Sequence, residues 1–131
     1  MTETLQNLNI EKSGFMEPQE LAIHAIRSHV FVKRERNPDN EFPMPIVDFS
    51  NDLDNVSFRF PRGGKKDLSK TIEFTQENGR YKVMGRYNKQ GATNNSLVDS
   101  RDQDFGEVDT FDPRKVREVL STAYDTVLAW R

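Results

Sequence analysis

Two segments of the chain carry apolar residues at helical spacing. After Glu17-Pro18, residues Leu21, Ala22, Ala25, Ile26 and Val30 fall on one stripe. Proline suits the first helical position because the amide proton it lacks would have no partner there. The pattern predicts a helix from residue 17 to about Lys33. Lys33, Arg34 and Arg36 then stand near the negative end of its dipole. Near the other end of the chain, Asp112 can cap free amides and Pro113 fills the first position of a second helix. Val116, Leu120, Ala123 and Val127 step by four, three and four, and Val119, Tyr124 and Leu128 widen the stripe. This helix is expected to reach Trp130.

The middle of the chain alternates instead. Val56, Phe58 and Phe60 share one face of a strand, and Ile46, Val47 and Phe49 form a shorter candidate strand. The segments 71–77 and 80–87 flank Asn78-Gly79, a pair suited to the left-handed angles of a two-residue turn. That turn sets Glu77 opposite Arg80, Gln76 opposite Tyr81, Thr75 opposite Lys82 and Phe74 opposite Val83. Ile72, Phe74, Tyr81, Val83 and Tyr87 then line one face. Glu73, Thr75, Glu77, Arg80, Lys82, Met84 and Arg86 line the other. The segment 37–45 holds three prolines and reads as an irregular, extended connector. Residues 89–109 are mostly polar and read as an acidic loop pinned by Leu97, Val98 and Phe105.

The expected fold is therefore α+β. An antiparallel sheet of three to four strands packs against an N-terminal and a C-terminal helix. Residues 1–16 are expected to form a tail or arm, and residues 17–131 one domain. A length of 131 residues leaves no room for two good cores. Leu, Ile, Val and Phe number 32, enough for a folded domain, but the apolar share of 34% implies a thin core.

Charge changes this picture more than composition does. The total is −2, yet residues 59–89 hold nine Lys or Arg against three Asp or Glu, and the rest of the chain carries −8. Arg62, Lys65, Lys66 and Lys70 sit in or beside one glycine-containing loop, and Arg80, Lys82 and Arg86 belong to the outer face of the hairpin. Cations with aromatic platforms hold single-stranded nucleic acid in many proteins. Here Tyr81 and Tyr87 project to the opposite face. The competing reading is a hairpin that faces solvent or pairs with the acidic segment Asp99, Asp102, Asp104, Glu107, Asp109 and Asp112 of the same chain.

Other chemistries find little support. The chain has no cysteine, which excludes disulfides, thiolate zinc sites and a cysteine nucleophile. His24 and His29 lie about 140° apart around a helix and do not share a face, so no metal site is expected. The acidic segment puts Gly106 where a calcium loop needs a ligand and Glu107 where it needs glycine. Pro61-Arg62-Gly63-Gly64-Lys65-Lys66 lacks the spacing of a phosphate loop. No catalytic motif and no cofactor are expected. Trp130 either closes the core or serves as an anchor for a partner. The first 20 residues lack the basic start and apolar run of a signal peptide, so a cytoplasmic, intracellular protein with no membrane partner is expected.

These features point first to a small non-catalytic binding or accessory protein, of adaptor or inhibitor type. It would act through protein–protein contacts, or self-association, with a charge-bipolar surface. The alternative is RNA or single-stranded DNA binding through Arg62, Lys65, Lys66, Lys70, Arg80, Lys82 and Arg86. The second alternative is an enzyme with no recognisable motif.

Overall fold

The computed structural model describes residues 17–49, 55–61, 68–77, 80–90, 97–109 and 111–130. The element order is α1 (Pro18–Arg36), β1 (Ile46–Phe49), β2 (Val56–Arg59), β3 (Leu68–Glu77), β4 (Arg80–Gln90), β5 (Leu97–Val108) and α2 (Pro113–Ala129). The strands form one antiparallel sheet in the order β1-β2-β3-β4-β5, so each pairs with its neighbour in sequence. The fold is α+β, with a helix before the sheet and a helix after it.

The sheet has five strands where the sequence suggests three to four. The additional strand is β5, built from the segment expected to be an acidic loop. Few of its residues are apolar, and Arg101 and Gln103, opposite Tyr87 and Gly85, stay exposed. Its pairing rests instead on the backbone ladder to β4 and on complementary charge. A bulge interrupts that ladder: Val83 pairs with Gly106 and Met84 with Asp104, leaving Phe105 as the extra residue. Gly106 takes a positive φ of 101°, which a side chain would resist.

The hairpin register of β3 and β4 is the one expected, from Glu77 opposite Arg80 to Phe74 opposite Val83. Asn78 and Gly79 themselves lie outside the described residues. Ile72, Phe74, Tyr81, Val83 and Tyr87 are all buried on the helix side. α2 packs on β3, β4 and β5 and against α1. Its buried Val116, Leu120, Ala123, Tyr124 and Val127 join Ala22, Ala25, Ile26 and Val30 of α1 and Val56, Phe58 and Phe60 in a single core. Both helices start at built caps. Glu17 and Glu20 form a capping box on α1, and the Asp112 side chain accepts from the Lys115 amide on α2. α1 runs on past Lys33 to Arg36.

The proline-rich connector is tied down from both helices. The Tyr124 hydroxyl donates to the Pro43 carbonyl at 2.8 Å, and Arg34 Nε donates to the Phe42 carbonyl at 2.9 Å. Phe60 stacks on Tyr124 at 5.3 Å. This leaves two surfaces to consider: the outer face of the sheet and the face formed by the helix pair.

Candidate functional site

Period-two alternation places Arg80, Lys82 and Arg86 of β4 on the outer face, with β5 alongside. Each meets a carboxylate. Arg80 Nη1 lies 3.3 Å from Glu107, and Lys82 Nζ lies 3.3 Å from Asp104. Arg86 reaches Glu73 of β3 at 3.0 Å and Asp102 of β5 at 3.1 Å. Towards the other edge of the same outer face, Arg59 of β2 pairs with Asp48 of β1 at 3.1 Å. The hydrogen bond and charge of Glu73 hold the Arg86 guanidinium above its ordinary pKa, with Asp102 adding to the effect. The Asp104 carboxyl is held below the usual range, first by the Gly106 amide at 2.7 Å and then by Lys82. Arg80, Lys82 and Arg86 are thus each paired with a carboxylate of the same chain.

Lys70 belongs to the other side of the sheet. It is part-buried and donates to the Leu128 carbonyl at 2.9 Å, at the end of α2 where free carbonyls attract a cation. Arg62, Lys65 and Lys66 lie outside the described residues. Of the seven cations grouped by sequence, the fold brings Arg80, Lys82 and Arg86 together and sets Lys70 apart. Trp130 is partly buried against the core, edge-on to Tyr87 at 6.2 Å. Its ring also borders Gly85, where an added Cβ would sit 3.4 Å from it. Arg101 lies over the other ring of this pair, 5.3 Å from the centre of Tyr87.

The helix pair offers a different surface, which periodicity alone did not disclose. A groove of about 400 Å³ runs between α1 and α2, lined by Leu21, His24, Ala25, Ser28, His29 and Val32 from α1 and by Pro113, Arg117 and Ser121 from α2. The helices run in the same direction: Leu21 and His24 face Pro113 and Arg117, while His29 and Lys33 reach Asp125 at 2.9 and 3.2 Å. Beside the groove, Phe31 is 59% exposed and Val32 41% exposed. The sequence signal for this surface was available in Phe31-Val32, two large apolar residues off the buried stripe of α1.

Both histidines line this groove despite their angular separation, because it wraps over one side of α1. The His29 ring packs edge-on against Tyr124 at 5.5 Å, and its Nε2 shares a hydrogen bond with Asp125. Neither Ser28 nor Ser121 hydrogen-bonds an imidazole, so the groove does not join a nucleophile to a base. Among the described residues no group of three His, Asp or Glu could hold a metal ion, and no helix is long and apolar enough to cross a membrane.

A larger concavity of about 550 Å³ lies at the end of the sheet, between Arg80, Glu107 and Lys115. Tyr81, Val108 and Phe111 are its apolar lining, and Phe111 projects from a turn held by Asp109. The helix groove sets Leu21, Ala25, Val32 and Pro113 among serine, histidine and arginine side chains. No family model, no curated protein and no solved structure matches the chain, so these two surfaces are read from their residues alone.

Proposed function

We propose that the chain is a small non-catalytic accessory protein that binds a protein partner through the face formed by α1 and α2. The observation that carries this reading is the exposure of Phe31 and Val32 beside the groove. Phe31 and Val32 leave much of their apolar surface in water on a helix that already buries four residues in the core. They gain when a partner covers them, at roughly 25 cal/mol for each Å² of apolar surface removed from water.

The charge layout favours the same face. Nucleic-acid binding on the sheet would require Arg80, Lys82 and Arg86 to exchange carboxylates for phosphates. Every phosphate contact there would first break an ion pair already made.

Affinity capture with quantitative mass spectrometry tests the reading. The full chain is compared with Phe31→Asp/Val32→Asp and with Thr71→Glu on the outer face of the sheet. The expected result is a protein partner lost with the helix variant and kept with Thr71→Glu. Recovery of RNA in place of protein, or partners insensitive to the helix variant, contradicts it.

A further inference from the structure

We propose that the partner segment seated between α1 and α2 is an acidic amphipathic helix of about three turns. This rests on the helix-face reading above and adds the chemistry of the occupant.

The first ground is backbone satisfaction. The groove is walled by two helices whose interior N–H and C=O groups already bond within each helix. An extended peptide laid there would find no main-chain partners. A helix brings its own hydrogen bonds and needs only side-chain contact. The α1 side of the groove runs from Leu21 to Val32, about 16 Å at 1.5 Å per residue, and three turns of a partner helix match that length.

The second ground is charge. Among the described residues, Arg27, Arg114 and Arg117 have neither an ion pair nor a side-chain hydrogen bond. Arg117 lines the groove and Arg114 precedes it by one turn on α2, while Arg27 of α1 does not line it. The carboxylates around them are engaged. Glu17 and Glu20 cap α1, Asp112 caps α2, Asp125 holds His29 and Lys33, and Glu118 lies 3.6 Å from Lys115. Glu35 is unengaged but sits between Arg34 and Arg36 at the far end of α1. Arg114 and Arg117 of α2 thus stand at the groove without an ion pair among the described residues, while Arg80, Lys82 and Arg86 on the sheet each have one. Arg114 is also placed in the first turn of α2, which carries no acidic residue. The helix dipole disfavours a cation there, so Arg114 serves folding poorly.

Selection from a displayed library of randomised helical peptides against the full chain tests the inference. The best sequences are then measured by fluorescence anisotropy as synthetic peptides. Enriched peptides are expected to carry apolar anchors at i, i+3 or i+4 and i+7, flanked by Asp or Glu. Their affinity is expected to fall at least about tenfold with Arg114→Glu/Arg117→Glu, and as much with Val32→Asp. Circular dichroism of each variant checks that the fold persists. Failure to enrich any peptide overturns the inference, as does enrichment of basic peptides. Binding lost with Val32→Asp but indifferent to the arginine reversal overturns the acidic partner and leaves the helix-face reading standing. Binding indifferent to both sets aside both. Displacement of the selected peptides by a synthetic peptide of residues 1–16 assigns the groove to the chain's own N-terminal segment and overturns the separate partner.

Discussion

Arg86 of β4 and Asp102 of β5 stand opposite one another in the strand register and join their side chains at 3.1 Å. Glu73 completes a row of alternating charge across three strands. Such half-exposed pairs contribute modestly, so Arg86→Ala is expected to lower stability by about 0.5–1 kcal/mol. Urea unfolding at low and high salt checks this, with the loss shrinking as salt screens the row.

Acid acts on the same face through Asp104. Its pKa is lowered in the folded chain, so the unfolded chain binds the proton first as pH falls. The stability it contributes is present above the ordinary carboxylate range, near pH ~3.9, and is lost as pH falls below it. Asp104→Asn is expected to unfold with a shallower loss of stability over that acid range, measured by denaturation across pH.

Gly85 is held by its neighbours on the helix side. A Cβ there would lie 2.8 Å from Val127 Cγ2 and 3.0 Å from Phe105 Cε2. Gly85→Ala is expected to cost about 1–3 kcal/mol by overpacking. Thermal melting of Gly85→Ala alone and combined with Val127→Ala checks it, with the pair less damaged than the two single losses added together.

Tyr124 makes a second pH-dependent contribution, of opposite sign. Burial pushes its phenol up to about 12, with Asp125 adding to the rise and Arg34 opposing it. The unfolded phenol ionises near pH ~10, before the folded one. Its contribution is therefore complete below that pH and declines towards pH 12. Tyr124→Phe also removes the hydrogen bond to Pro43, and is expected to cost about 1 kcal/mol at neutral pH while flattening the alkaline decline.

Arg114 separates folding from binding. Arg114→Glu places an anion in the first turn of α2 and is expected to stabilise the chain by about 0.3–1 kcal/mol. The same change is expected to weaken the acidic partner. A melting curve and an anisotropy titration on one variant read both effects.

Much of this architecture is legible in residue order. Pro18 and Pro113 mark both helix starts, and the alternation around Asn78-Gly79 sets the register of β3 and β4. β5 was hidden because its outer positions carry Asp102, Asp104 and Glu107, which read as solvated acids until Arg86, Lys82 and Arg80 stand beside them. Its identity as a strand is a property of the pair, and single-segment periodicity does not hold that information. The helix groove was hidden for a similar reason. It needs Leu21 and Val32 set against Pro113 and Arg117, residues about 90 positions apart that only the fold brings together.

The most direct measurement is an amide-resonance NMR titration of the full chain, first with a selected acidic helical peptide and then with a single-stranded RNA oligomer at low salt. The account predicts that the peptide shifts resonances along Leu21–Val32 and Pro113–Ser121, and that the RNA leaves the spectrum unchanged. Shifts confined to β4 around Arg80, Lys82 and Arg86 on adding RNA, with the helices silent towards the peptide, would contradict it.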